Sequence, residues 1–409
     1  MKILHVTPHL GGGVGKAHAA LCGVLPEEVE QTFVLLEAPR NRRYADLIED
    51  SGGRVIVAGG LDDVALLAAE ADIVQFEFWN HPRLFECLAR CAFPAIRSVF
   101  WSHISGLCAP LIPSGLMQEA MRFVFTSEAS RESAVVRHLP ATAQCKLAVI
   151  NSGFGLSGAS PRRPGRKPAI AYLGTVDFVK MHPGFFEAID ALSGEIEVAV
   201  WGAVNPSGPV AARARAMRHP QRVAFLGETS EPAAALADAD IFFYPLQPDH
   251  YGTAENALIE AMSLGLVPIV LNNPAERAIV RHGETGFIAH SIADAASLLQ
   301  MVLASPDVRQ RVSQNAIDEV SQTRTPERSL RDFMIVWLGM LGKSPEHCNF
   351  RSVIGDNPAA WYAATQGSTE TTRPPSARNL QQASKGTFAH FESVFAGDQS
   401  LARLRKSSR

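Results

Sequence analysis

Cysteine is scarce in this chain, with six among 409 residues. That density excludes a disulfide framework. Cys87 and Cys91 stand four apart, but no second pair at zinc-ligand spacing follows them. Buried free thiols are therefore expected. An excess of charge of one sign is also missing. Lys and Arg number 38 against 41 Asp and Glu, a formal net charge of −3, which excludes the basic stripe of a general nucleic-acid binder. Long apolar runs are missing too. The longest stretch without a charge, Ser98 to Gln118, holds His103, Gly106, Pro110, Pro113 and Gly115 and makes a poor membrane span. No secretory leader is expected, because Met1-Lys2-Ile3-Leu4-His5-Val6 reads directly as a first strand. A reducing cytoplasm is the expected compartment. With 46% apolar and 19% charged residues, the composition is that of a globular protein rather than a disordered one.

A length of 409 residues suits about two domains, and one rhythm runs twice along the chain. Strands are expected at Lys2–Val6, Thr32–Leu36, Arg54–Val57, Ile73–Phe76, Ser98–Trp101, Phe123–Phe125 and Leu147–Ile150. After a Pro-, Gly- and Arg-rich linker they resume at Ala169–Leu173, Glu197–Trp201, Val223–Leu226, Ile241–Tyr244 and Val267–Leu271. Most are continuous apolar runs, the pattern of parallel strands covered on both faces. Helices are expected between them, for example at Val14–Val24, Glu128–His138 and Pro326–Leu341. The resulting fold class is α/β, with a first doubly wound domain over 1–157, a linker over 158–168 and a second over 169–343. Residues 344–409 turn polar and low in complexity around Thr365–Lys385 and read as a partly disordered extension, with Phe388–Leu404 as a short helix.

Ligands of such sheets bind outside the carboxyl ends of the strands, so the motifs there carry the chemistry. The first strand runs into Leu10-Gly11-Gly12-Gly13-Val14-Gly15-Lys16, a glycine turn that lets backbone N–H groups approach an anion. It is not a P-loop, because Leu10 and Ala17 occupy positions that motif reserves for glycine and for serine or threonine. His103 follows a strand, where an imidazole can bond a sugar hydroxyl or a phosphate. In the second half Gly174-Thr175 and then Lys180 follow a strand, placing a cation where a diphosphate could leave. Thr253 opens a helix as its cap, with Glu255, Asn256, Ala257 and Glu260 after it. First-turn amides suit phosphate or sugar oxygens, and a carboxylate suits a ribose diol.

Taken together, these residues resemble glycosyltransferase family 4, retaining nucleotide-sugar enzymes with the GT-B fold: two Rossmann-like domains facing a central cleft. The resemblance covers about Met1 to Leu341 through Gly12-Gly13-Val14-Gly15, His103, Gly174 with Lys180, Glu260-Ala261-Met262 with Gly265 and Pro268, and Ile279 to Phe287. It implies a catalytic set of His103, Lys180 and Glu255. It further implies donor binding by Gly11, Gly12, Gly13, Gly174, Thr175, Thr253, Asn256, Ala257 and Glu260. Two positions depart from the family: Thr175 replaces an arginine, for which Arg277 or Arg281 could substitute, and Gly252 replaces the glutamate eight residues before Glu260.

The expected activity is metal-independent, retaining transfer of a hexose-type sugar from a nucleoside-diphosphate sugar to an acceptor hydroxyl. No cofactor is expected beyond that co-substrate. The acceptor would be a glycan, a lipid-linked sugar or a small molecule, held on the first domain by Lys16, Arg42 and Arg43, which also suit peripheral contact with the inner face of a membrane. Two alternatives are a nucleotide-sugar epimerase of the same architecture and a catalytically inactive sugar-nucleotide binder.

Overall fold

The computed structural model describes residues 1–156, 169–253, 255–367 and 386–406. The chain forms two compact units, Met1–Ser152 with Tyr251–Thr253 and Pro326–Arg409, and Gly153–His250 with Ala254–Thr325.

The first unit is built on a seven-stranded sheet in the order β3-β2-β1-β4-β5-β6-β7, with every pairing parallel. Its strands are β1 (Lys2–Thr7), β2 (Glu30–Leu35), β3 (Arg54–Val57), β4 (Ile73–Phe78), β5 (Ser98–Ser102), β6 (Arg122–Phe125) and β7 (Leu147–Val149). Every side chain of β4 and β5 is buried, as strands sandwiched between helix layers require. Helix α1 (Gly12–Cys22) follows β1. The helix expected over Glu128–His138 is instead a 3-10 turn, Glu128–Glu132, followed by Ala134–Arg137. Ser133 breaks it, because its hydroxyl caps the second piece at Val136 N (3.2 Å).

The second unit carries a six-stranded parallel sheet in the order β10-β9-β8-β11-β12-β13. Its strands are β8 (Ile170–Leu173), β9 (Val198–Trp201), β10 (Val223–Gly227), β11 (Ile241–Tyr244), β12 (Val267–Leu271) and β13 (Phe287–Ala289). The last had no counterpart among the expected strands; three residues are too few to show a period.

Two boundaries differ from expectation. Helix Pro326–Leu341 matches its expected bounds but belongs to the first unit, where Phe333 and Trp337 are buried and Phe333 packs on Trp101 of β5 (ring centroids 4.8 Å). Nor does the chain beyond 343 lie outside the body. Short helices Phe350–Ile354, Pro358–Ala364, Phe388–Val394 and Gln399–Lys406 return to the first unit. Phe350, Trp361, Tyr362, Phe388, Phe391, Leu401 and Leu404 join the same core as Phe76, Phe100 and Phe123. Apolar burial of that size outweighs the polar average of the segment. The low-complexity stretch over 368–385, the linker over 157–168 and Ala254 lie outside the described residues. No helix among the described residues is long and apolar enough to cross a membrane. All six cysteines are free, but only Cys22 and Cys87 are buried; Cys145 is exposed.

Candidate active site

Each sheet reverses its strand order once, between β1 and β4 in the first unit and between β8 and β11 in the second. Binding sites of open α/β sheets lie at such switch points, and the expected residues fall around both.

In the first unit β1 leads into Gly11, Gly12 and Gly13. Gly12 has φ +57° and open space where a side chain would stand, a backbone that disfavours other residues. Gly11 precedes α1 with no side chain capping the helix start, and its N–H donates to His9 Nδ1 (3.0 Å). The helix therefore begins in bare amides, suited to an anion.

Beneath that turn lies a buried polar cluster absent from the sequence reading. Glu77 of β4 is fully buried. Its Oε1 meets His5 Nδ1 (2.9 Å) and accepts from Gln75 Nε2 (3.0 Å), while its Oε2 meets His103 Nε2 (2.8 Å) and lies 3.0 Å from His18 Nε2. Gln75 is held in turn by Trp337 Nε1 (3.0 Å). Burial would raise the Glu77 pKa, but the neighbouring His18 and the bonds from His103, His18 and His5 prevail and hold it well below the carboxylate range. Burial pushes His5 down to about 4 and lowers His103, against the opposing pull of Glu77. His103 thus presents a ring anchored through Nε2, with Nδ1 as its second nitrogen and a side chain only 7% exposed. Both carboxylate oxygens are engaged by ring and amide nitrogens, an arrangement of proton donors around one acceptor.

Of the expected acceptor-side cations, Lys16 is half-buried on α1. Arg42 is exposed, and its guanidinium pairs with Asp46 (3.0 Å) and Glu49 (2.7 Å) of the helix it precedes. Those carboxylates, about one and two helical turns further along, offset its charge. Arg43 is exposed, 5.9 Å above the Tyr44 ring.

In the second unit Gly174 ends β8 and donates to Trp201 O (3.0 Å). Thr175 is exposed, and its carbonyl accepts from Tyr172 Oη (2.8 Å). The following loop is fastened to the segment after β11: Gln247 N donates to Lys180 O (2.8 Å) and Gln247 Nε2 to Phe178 O (3.0 Å). Lys180 is half-buried with Nζ 5.6 Å from the Tyr244 ring centroid, so a cation is carried between the ends of β8 and β11. Helix Glu255–Ser263 starts two residues beyond Thr253, which groups with the first unit. The side chain of Glu255 lies outside the described residues. Asn256 and Ala257 are half-buried in the first turn, and Glu260 is 5% exposed. Of the two arginines considered as substitutes at Thr175, Arg281 is bound by Glu284 (2.9 Å) and Glu319 (2.5 Å), and Arg277 Nη1 reaches Asn272 Oδ1 (3.2 Å). A second unforeseen cluster joins buried His250, Asn273 and Glu276: His250 Nε2 lies 3.2 Å from Glu276 Oε2, and Asn273 Nδ2 donates to Oε1 (3.0 Å).

Residues 158–319 match the family model for glycosyl transferases group 1. The match spans the second unit's strands, Lys180 and Glu260. No curated protein matches the chain. Among solved structures, a glycosyltransferase from Rickettsia africae aligns with a TM-score of 0.66 at 14% identity, over 84% of this chain and 99% of that one. The Anabaena protein HepE in complex with UDP gives 0.67 at 16%, over 83% and 100%. Sucrose-phosphate synthase from Thermosynechococcus elongatus gives 0.61 at 16%, over 84% and 99%. The fold is GT-B, with two Rossmann-like domains, as the sequence resemblance implied. Likeness at this level carries fold and not chemistry.

The cluster around Glu77 could have been suspected from one signal. Gln75 and Glu77 interrupt a strand whose apolar run is otherwise buried on both faces, and a charge in such a strand needs partners.

Proposed function

We propose that the protein is a retaining glycosyltransferase that moves a hexose-type sugar from a nucleoside-diphosphate sugar to an acceptor hydroxyl in the cytoplasm. The observation that carries this reading is the glycosyl-transferase match over 158–319, a segment that includes Lys180, Glu260 and the Asn256 helix start. HepE, similar in fold, has been solved with UDP-glucose.

In this reading the first-turn amides at Asn256 and Ala257 bind phosphate or sugar oxygens, with Gly174 and Thr175 beside them. Glu260 accepts the ribose hydroxyls. Lys180 offsets the negative charge that develops on the departing diphosphate without a metal ion, and in the first unit the amides at Gly12 and Gly13 suit an anion. The transition state has oxocarbenium character, and the acceptor attacks from the leaving-group face, so no protein nucleophile forms a bond to the sugar. His103, set by Glu77, contacts the transferred sugar. The acceptor is a carbohydrate, lipid-linked or small-molecule hydroxyl.

A second reading, an inactive sugar-nucleotide binder, draws on Thr175 and Gly252 and on the carboxylates that hold Arg281. One experiment separates the two. Thermal shift with UDP-, GDP-, TDP- and ADP-sugars identifies the donor, and incubation of that donor with an acceptor panel follows. Binding with transfer and retained anomeric configuration supports the enzyme. Binding without turnover supports the inactive binder, epimerised donor supports an epimerase, and binding of no nucleotide sugar removes all three.

A further inference from the structure

The first unit holds a second histidine cluster, beside the one that anchors His103. His9 follows β1, Glu37 follows β2, and Trp79 and His81 follow β4, so three strand ends at the switch point converge. The fourth contributor comes from the returning tail. His390, on helix Phe388–Val394, places its ring 4.7 Å from that of His81. The tail is fitted to this corner by Gly386. Its φ is +77°, and a Cβ there would stand 2.6 Å from Asn80 O, so only glycine lets the chain pass.

Hydrogen bonds fix the chemistry these rings present. His9 Nδ1 accepts from Gly11 N (3.0 Å), His81 Nδ1 from Arg83 N (3.2 Å) and His390 Nδ1 from Gly386 N (3.1 Å). A neutral imidazole that accepts at Nδ1 carries its proton on Nε2. Burial and mutual repulsion keep His81 and His390 neutral, at about 2 and about 4. The cluster therefore presents Nε2–H donors. Metal-bound histidines behave in the opposite way and donate their second ring nitrogen, so the His9–Glu37–His81 grouping, although its atoms lie within 4.8 Å of one another, is not arranged as a cation site.

Glu37 supplies the complementary acceptor. Its Oε1 stands 3.6 Å from His81 Nε2 and 4.0 Å from His9 Nε2, beyond a direct hydrogen bond. A hydroxyl can meet both kinds of partner, accepting from an imidazole N–H and donating to the carboxylate. A phosphate fits less well, because Glu37 repels it and, of the two arginines that act on Glu37, Arg83 is already paired with Glu86 (2.8 Å) and Arg40 is exposed. Trp79 adds an apolar indole face, 5.4 Å from the His9 ring and 6.3 Å from that of His103. The indole thus sits between the donor-and-acceptor cluster and the histidine assigned to the transferred sugar.

We propose that His9, Glu37, Trp79, His81 and His390 form the acceptor subsite and that it takes an uncharged sugar ring through its hydroxyls, not a phosphorylated group. The word acceptor rests on the glycosyltransferase reading; the sugar subsite itself does not. The test titrates the full-length protein with methyl glycosides of glucose, galactose, mannose and N-acetylglucosamine, followed by tryptophan fluorescence and saturation-transfer NMR. Inorganic phosphate and Zn²⁺ are titrated in parallel. At least one glycoside should bind saturably. Trp79→Ala and Glu37→Gln should each weaken it about tenfold or more, and His390→Ala by a smaller factor, in line with the loss of a ligand contact or hydrogen bond. Glu37→Gln should keep the wild-type melting temperature, and every variant the nucleotide-sugar shift. Failure of every glycoside to bind overturns the proposal, as does Zn²⁺ or phosphate binding that Glu37→Gln alters. If a nucleotide sugar binds but no glycoside does, the subsite fails and the transferase reading stands. If a glycoside binds but no nucleotide sugar does, the subsite stands and the donor reading fails.

Discussion

Around the switch point of its sheet the first unit sets His5, His18 and His103 on Glu77, and His9 and His81 near Glu37. The second sets Lys180 and a helix start near its own, with, among the described residues, a single buried histidine–glutamate contact, His250 to Glu276. Two sheets of the same winding thus present different chemistry. In one, neutral rings and buried carboxylates donate and accept hydrogen bonds. In the other, Lys180 supplies a cation and the start of helix Glu255–Ser263 supplies backbone amides. The first arrangement suits hydroxyl groups and depends on desolvation; the second suits phosphate and depends on charge. The family match covers 158–319, the span of the second unit apart from its two ends and Tyr251–Thr253.

The strongest way to break the comparison is to end the chain after Lys343. The first unit would lose Phe350, Trp361, Tyr362, Phe388 and Phe391 from its core, at about 3–5 kcal/mol for each large aromatic. It should not fold, while limited proteolysis should still yield an intact fragment near 153–325. Next is Glu77→Ala, which strands three buried rings and should destabilise the first unit by about 3–5 kcal/mol, on the scale of breaking a buried ion pair. Denaturant titration followed by Trp101 and Trp337 fluorescence checks it. If both units lost stability equally, the proposed division of chemistry would be wrong.

Lys180→Ala tests the other side. It should lower kcat about 10²–10³-fold, the usual cost of removing one group that stabilises developing negative charge, with an unchanged melting temperature. Full activity would remove Lys180 from the leaving-group role. The smallest effect is acid sensitivity. His5, His81 and His390 have folded pKa values below the unfolded 6.5, so the unfolded chain binds more protons as pH falls from 6.5 towards 4, and stability is lost in that window. Glu77, held below 4.5, adds stability that persists until still lower pH. The first unit should therefore melt several degrees earlier at pH 5 than at pH 7. The second, where among the described residues only His182 shows a lowered histidine pKa, should change less.

The strands were legible because continuous apolar runs have one simple cause, burial on both faces; Arg54–Val57, Ile241–Tyr244 and Val267–Leu271 match to the residue. Phe287–Ala289 was too short to show a pattern. Among the proposed site residues, Gly12, Lys180 and Glu260 could be named from the sequence through a glycine turn, a lysine after a strand and a helix motif. Glu77, His5 and His18 were hidden inside apolar elements, and their meaning depends on partners up to 72 residues away. His390 was less visible still, since nothing local marks it as a neighbour of His81.

The tail that supplies His390 also orders events during synthesis. The second unit is complete by Thr325, but the first waits for helices as late as Gln399–Lys406. Its sheet must stand with an open core while the whole second unit emerges and folds. Closing contacts that span more than 300 positions makes this a slow, chaperone-exposed assembly. Because His390 arrives with those last helices, the proposed sugar-binding corner would be finished only when the rest of the molecule already stands.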